Sequence, residues 1–117
     1  MNRHTSVIQS FGSAMRGVRY GLEGRSLRIQ IWVGVAVILL SFILRTTLLE
    51  RVALLACILG VLAVELINTA IEELSDVLIK EHHPGIAHVK ELAAGAVLTV
   101  SLAAGAIGLY IFLPYFL

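Results

Sequence analysis

Carboxylates and an amide recur at helical spacing in the stretch VELINTAIEELSD, residues 64–76, which ends a long apolar run. At 100° per residue, Glu65, Asn68, Glu72 and Asp76 fall on one side of a helix, here called the carboxylate stripe. Counted from the start of the run, Glu65 lies about 20 Å and Glu72 about 30 Å along the helix, so the stripe crosses one edge of a bilayer's hydrocarbon layer. A carboxylate at that depth usually faces a protein interior or a wet cavity and has a function.

Paired carboxylates beside an amide are ligands for hard cations and acceptors of protons. The stripe could therefore bind a divalent metal that carries phosphate. A plainer alternative is that Glu72 and Asp76 form the solvated end of a helix while Glu65 pairs with a basic residue of a neighbouring helix. A second cluster, Lys90 and Glu91, opens the next apolar segment. Lys90 could neutralise phosphate oxygens and Glu91 could help hold metal, although an ordinary helix-entry charge pair would look the same.

The composition predicts an integral membrane protein that is all-α. Of 117 residues, 58% are hydrophobic and 15% are charged, and a soluble domain has a lower apolar share. Three spans fill a single domain over residues 1–117, which leaves no room for a separate ATP-binding fold. No phosphate-binding G-x-x-x-x-G-K-[ST] motif occurs, and a net charge of +1 gives no case for a nucleic-acid partner.

Five segments follow from the hydropathy pattern. Apolar residues recur at helical spacing within residues 1–28, which predicts an amphipathic helix on the membrane surface. The predicted spans are residues 29–49, 52–76 and 92–117, and residues 77–91 form the loop between the second and third spans.

The ends of the first span are indicated by polar and aromatic residues. Its uninterrupted apolar run is shorter than the roughly 20 residues that usually cross a bilayer. Gln30 and Arg45 therefore mark the interfaces, and Trp32 serves as an interfacial anchor.

Basic residues predict the orientation. Residues 1–28 hold five of the nine Lys and Arg residues, the 77–91 loop holds Lys80 and Lys90, and the other loop holds Arg45 and Arg51. The positive-inside rule then places the N-terminus and the 77–91 loop in the cytoplasm and the C-terminus outside.

The third span contains AAGA twice, and such small residues allow helices to approach closely, within or between chains. Three histidines, His82, His83 and His88, match no zinc spacing and have no cysteine beside them, so a transition-metal site is not predicted. Cys57, the single cysteine, lies in an apolar run and is interpreted as core packing.

The blocks ELINTAIE and KELAAGAV, in this order with Asp76 and an HP-containing loop between them, resemble the small membrane lipid kinases of bacteria, the diacylglycerol and undecaprenol kinase family. The resemblance covers nearly the whole chain. It implies a surface helix and three spans assembled as a homotrimer in the bacterial inner membrane. It also implies ATP with Mg²⁺ as phosphoryl donor, a lipid alcohol as acceptor, and sites composed between subunits.

Position by position, the resemblance implies a role for each residue of the stripe. Glu65 resembles the proposed general base toward the lipid hydroxyl, and Asn68 resembles a catalytic residue that supports it and the phosphate. Glu72 resembles the main metal-binding carboxylate.

The same resemblance implies a nucleotide-binding group. Lys90 matches a lysine that contacts the ATP phosphates, Glu91 takes the place beside it, and Asp76 and His83 match positions that line the nucleotide. Phosphoryl transfer needs mainly alignment, charge neutralisation and a proton acceptor, which agrees with the chemistry read from the residues themselves.

Two positions depart from the family's pattern. The family usually has Asp where this chain has Glu91, and an extra methylene can shift a ligand by about an ångström. A metal-binding Glu is expected where this chain has Gly24, with Glu23 one residue early. On a helix that step turns Glu23 by 100° away from the site, whereas a turn loosened by Gly24 would let it reach the metal.

Three functions remain open from the sequence. The leading hypothesis is a kinase that converts diacylglycerol to phosphatidic acid or undecaprenol to undecaprenyl phosphate. Gly24 and Glu91 support the alternative of a weak or inactive trimeric relative that binds lipid or nucleotide. Glu65 inside the membrane also permits a small ion or proton pathway subunit. The sequence does not discriminate between the two acceptors.

Overall fold

Four helices make up the chain in a computed structural model that describes residues 3–117, with side chains described from residue 6 onward. They are α1 (Arg3–Gly21), α2 (Arg25–Ile43), α3 (Leu48–Leu78) and α4 (Pro84–Phe116). The described residues contain no strand. The predicted all-α fold is confirmed, and so are the three helices able to span a membrane, since α2, α3 and α4 are each long and apolar enough to do so.

The helices α3 and α4 are longer than a bilayer is thick. With 31 and 33 residues, α3 and α4 extend about 46 and 50 Å, against a hydrocarbon layer of about 30 Å. The backbone helix thus continues where the hydropathy falls, so that much of the predicted 77–91 loop is helical and only residues 79–83 connect α3 to α4. The polar end of α3 therefore reaches the interface as an ordered helix.

Helix α3 is central, since α2, α4 and the end of α1 all contact it. Gly34 of α2 lies against Ile58, and Gly21 at the end of α1 lies against Leu66. Leu66 is the residue after Glu65, so α1 ends beside the stripe. Val7, Phe11 and Met15 of α1 are exposed apolar residues, as expected of an amphipathic helix.

More polar than apolar side chains are buried in the described chain. This reversal fits a membrane protein, because apolar side chains can face lipid while polar ones need protein partners. The buried polar residues are Ser41, Thr46, Glu65, Asn68 and Ser75, and the buried apolar ones are Leu27, Leu54, Ala93 and Ile111.

Hydrogen bonds order the end of the molecule opposite the stripe. Arg45 adopts a left-handed φ of 57°, which turns the chain sharply after α2. Thr47 and Glu50 form a capping box at the start of α3. Tyr115 of α4 donates a hydrogen bond of 2.6 Å to Glu50 Oε1, which ties the two helices together at this end.

Candidate active site

One face of α3 presents the carboxylate stripe because its residues are three or four positions apart. Glu65 and Asn68 are buried, with 6% and 9% of their surfaces exposed. The hydroxyls of Thr69 and Ser75 donate to backbone carbonyls one turn earlier, so they satisfy their polarity within the helix. The carboxylates and the amide are left to interact with other groups.

Glu65 receives a donor from a different helix. Gln30 Nε2 of α2 donates to Glu65 Oε2 over 3.4 Å, a long hydrogen bond. Gln30 therefore lies against the stripe, whereas the sequence indicated only an interfacial residue. The available signal was a lone amide in an apolar helix, but its partner lies 35 residues away and depends on the packing of α2 on α3.

Asn68 links the buried and exposed parts of the stripe. Its Nδ2 donates to Glu72 Oε1 over 3.2 Å, while Glu72 is exposed. The Oδ1 atom of Asn68 is buried and has no partner in the part of the chain that the structure describes. The amide of Asn68 therefore turns its N–H group toward the exposed Glu72 and keeps its oxygen buried.

At the end of α3, Asp76 pairs with the first turns of α4. Lys90 Nζ lies 2.8 Å from Asp76 Oδ1, with both side chains partly exposed. An ion pair in such a setting contributes little to stability, about 0–1 kcal/mol. The ion pair matters for geometry, because it holds Lys90 and Asp76 together at the exposed end of the stripe.

These two residues border an open hollow of about 230 Å³, part of whose wall is the turn between α3 and α4. His83 also lines it, and its Nδ1 accepts a hydrogen bond of 3.0 Å from the Gly85 N–H, which caps α4. The turn that lines the hollow is thus ordered by one of the predicted site residues.

Two predicted site residues, Glu91 and Glu23, belong neither to the stripe nor to the lining of the hollow. Glu91 is exposed on α4, next to Lys90. Glu23 is exposed in the turn between α1 and α2, not on a helix. Gly24 is the N-cap of α2 and has φ −79° and ψ 140°, a backbone conformation open to any residue. A Cβ at this position would lie 3.3 Å from the carbonyl oxygen of Gly21, so a larger residue needs a small adjustment of the turn but no unusual φ.

The stripe fits Mg²⁺ carried by phosphate better than a metal held by protein alone. Among the described residues, no three His, Cys, Asp or Glu side chains converge on one point. Mg²⁺ commonly takes only one or two carboxylates together with substrate phosphates and water. Exposed Glu72 and the unpartnered Asn68 Oδ1 are oxygen ligands of this kind.

Comparison with known proteins identifies the family. A family model described as prokaryotic diacylglycerol kinase matches residues 12–112. Over 114 residues the chain is 32% identical to an undecaprenol kinase of Bacillus subtilis, which covers 97% of this chain and 93% of the relative. Over 113 residues it is 34% identical to a diacylglycerol kinase of Synechocystis, which covers 93% of this chain but 63% of the relative. The chain therefore belongs to the prokaryotic diacylglycerol kinase family and is a lipid kinase.

Proposed function

We propose that the chain transfers the γ-phosphoryl group of Mg-ATP directly to the hydroxyl of a membrane lipid alcohol. The observation that carries this proposal is the order of groups on α3: a buried carboxylate at Glu65, then Asn68 about one turn and its partner Glu72 about two turns nearer the helix end. Glu65 and Glu72 are separated by about 10 Å along the axis, which leaves room between them for the reacting phosphate.

Glu65 is the proton acceptor in this proposal. As the lipid oxygen bonds to the γ-phosphorus and the bond to the ADP oxygen breaks, the hydroxyl proton passes to the Glu65 carboxylate. Burial shields this carboxylate from water, which is the competing acceptor. The Gln30 N–H restricts its orientation.

Glu72 and Asn68 are the proposed magnesium ligands, through the exposed carboxylate and the unpartnered amide oxygen. Bound Mg²⁺ supplies charge neutralisation of the phosphates during transfer. The Asn68 N–H also donates to Glu72 Oε1 over 3.2 Å, which orients the Glu72 carboxylate.

Nucleotide binding is proposed for the hollow beside Lys90 and Asp76. Lys90 donates to phosphate oxygens there, and Asp76 keeps the ammonium in place when no nucleotide is bound. His83 lines the same hollow, and Glu91 is the next residue after Lys90. Lys80 and Lys90 line the hollow beside Asp76 and Glu81, and a phosphate would replace the Asp76 carboxylate as the partner of Lys90.

The site is proposed to face the cytoplasm of a bacterium, where ATP is present, and to be completed in a homotrimer. Basic residues predict that orientation. Glu23, Glu72 and Glu91 are exposed on the single chain, so a neighbouring subunit can contribute to the same site. Glu23 reaches the metal only in such an assembly or after a movement of its turn.

The test is transfer of radiolabelled γ-phosphate from Mg-ATP to diacylglycerol or to undecaprenol, with purified protein in mixed micelles. One relative is named for each acceptor, so both lipids are assayed in parallel. Product from either lipid supports the proposal and identifies the acceptor. No product from either, with protein that is folded and homogeneous, contradicts it.

A weak or inactive relative is the second candidate function. It is favoured by the exposed turn at Glu23 and Gly24, where a carboxylate ligand is expected. Gly24→Glu combined with Glu91→Asp would then raise the rate of transfer by tenfold or more. A wild type that phosphorylates lipid at a rate the double variant does not exceed would exclude this candidate.

A further inference from the structure

Gln30 is the polar residue of α2 that faces the stripe, and its two amide atoms have different surroundings. Its Nε2 donates to Glu65 over 3.4 Å. Its Oε1 is buried and has no hydrogen-bond partner in the part of the chain that the structure describes. A buried acceptor without a donor costs free energy, so this oxygen calls for a donor from outside the single chain.

Chemistry fixes which way the amide points. An ionised carboxylate can only accept hydrogen bonds, so an amide oxygen turned toward Glu65 would meet a like partial charge. The N–H group therefore faces Glu65, and Oε1 is directed elsewhere. The hydrogen bond and the unpartnered oxygen are two consequences of one orientation.

Gln30 also belongs to the wall of a large groove between α2, α3 and α4, of about 540 Å³. The groove passes along α4 from Ser101 to Phe112, about 16 Å. Apart from Gln30, Cys57 and Ser101, its lining consists of apolar or glycine residues. Hydrocarbon suits such a wall, and Gln30 is the lining residue that touches the stripe.

We propose that Gln30 orients the acceptor for phosphoryl transfer, holding the Glu65 carboxylate through its N–H and receiving the lipid hydroxyl on its Oε1. This inference rests on the proposed kinase function. The hydroxyl has one proton, which is bonded first to Oε1 and turns to Glu65 as the lipid oxygen forms its bond to the γ-phosphorus. The proton then remains on Glu65, and ADP leaves with the electrons of the broken P–O bond.

The decisive variant is Gln30→Met, which keeps the volume and removes both the donor and the acceptor. It is expected to lower kcat for the lipid acceptor about 10- to 100-fold, the range for one hydrogen bond to a charged group. The KM for Mg-ATP is expected to stay within about twofold, because the nucleotide hollow is not touched. A purely structural role would instead lower thermal stability and change both parameters.

Two further variants complete the test. Gln30→Asn keeps the amide on a shorter side chain, so its kcat should lie between those of Gln30→Met and the wild type. If Gln30→Met does not fold, Gln30→Asn is the test in its place, with a kcat below that of the wild type expected. Trp32→Leu is the matched control on the same helix, since Trp32 is 73% exposed and the donor to Glu65 from this helix is Gln30. Its kcat should equal that of the wild type.

The outcomes separate this inference from the proposed function. If the wild type phosphorylates lipid and Gln30→Met has a kcat within about threefold of it, the role of Gln30 is excluded and the kinase function stands. If kcat and the KM for Mg-ATP change together with a loss of stability, Gln30 is structural and the inference is overturned. A wild type without lipid kinase activity overturns the proposed function itself.

Discussion

Glu65 and Glu72 lie two helical turns apart on α3, yet one is buried and the other exposed. A buried carboxylate held by an amide is suited to accept a proton, whereas an exposed one beside an unpartnered amide oxygen is suited to meet a hydrated cation. The difference predicts different kinetic defects for the two residues.

Replacing Glu65 by Gln should remove lipid phosphorylation. The amide keeps the shape of the side chain but cannot accept the hydroxyl proton, so kcat should fall by about 10²- to 10⁴-fold. The measurement is transfer of labelled phosphate to lipid, together with size-exclusion chromatography to verify that the variant elutes at the volume of the wild type. Glu73→Gln is the matched control, since Glu73 is exposed on the same helix beside the stripe. Equal turnover in both variants would contradict the role of Glu65.

Replacing Glu72 by Gln should chiefly weaken the use of Mg-ATP. Losing one of two oxygen ligands should raise the Mg²⁺ concentration for half-maximal rate by about tenfold, the size of effect that a change of about 1.4 kcal/mol produces. Raising Mg²⁺ should then restore much of the rate, which it cannot do for Glu65→Gln. The measurement is a Mg²⁺ titration of phosphoryl transfer at fixed ATP. A Glu72→Gln enzyme with the Mg²⁺ dependence of the wild type would exclude Glu72 as a ligand.

At the residue scale, the sequence predicted contacts within one helix but not contacts between helices. Asn68 and Glu72 are four positions apart, so helical spacing alone places them together. Asp76 and Lys90 were each predicted at the nucleotide, but their pairing depends on how α4 turns back along α3. The Gln30–Glu65 contact was missed because neither spacing nor hydropathy specifies the register of two packed helices.

At the scale of elements, Gly34 determines how closely α2 approaches α3. A Cβ at this position would lie 2.8 Å from Ile58 Cγ2, a methyl group on a stiff β-branched side chain. Small residues at such points permit close packing of membrane helices. This approach is also what brings Gln30, one turn away on α2, to Glu65.

Gly34→Ala should therefore destabilise the protein, by about 1–3 kcal/mol as for overpacking elsewhere. Thermal unfolding in detergent should show a lower Tm. Gly60→Ala is the control, because a Cβ at Gly60 meets nothing within 4 Å and Ala is the better helix former. A Tm for Gly34→Ala equal to or above that of Gly60→Ala would show that this contact does not limit the packing of α2 on α3.

Hydropathy predicted the three spanning helices but not where the helices end. The apolar runs are long and nearly uncharged, so their identity depends on composition alone. The ends depend on capping: Thr47 with Glu50 starts α3, and His83 with Pro84 starts α4 before the apolar run begins. These local hydrogen bonds extend the helices into polar sequence, where hydropathy alone predicts a loop.

At the scale of the whole molecule, the chain forms a thin layer of 52 × 43 × 20 Å. A layer of this shape leaves the stripe accessible from one side, as the exposure of Glu72 shows. Stacking copies around such a side would enclose the site, which agrees with the homotrimer predicted from the family resemblance. The trimer itself remains a prediction.

The proposed reaction needs one orientation of the molecule in the membrane, because cytoplasmic ATP has to reach the side where the stripe ends. The turn between α3 and α4 should then be cytoplasmic and the end of α4 should be outside, as the distribution of Lys and Arg predicts. The test uses single-cysteine proteins made in a Cys57→Ser background and expressed in bacterial cells.

In intact cells with a permeable outer barrier, Leu117→Cys should react with a membrane-impermeant thiol reagent, since Leu117 is 95% exposed at the end of α4. His82→Cys, exposed in the 79–83 turn, should react only after the inner membrane is opened. The reverse pattern would direct Glu65, Glu72 and Lys90 away from cytoplasmic ATP, which would be incompatible with the proposed reaction even if the purified enzyme were active. Topology therefore tests whether the chemistry of α3 can operate in the cell.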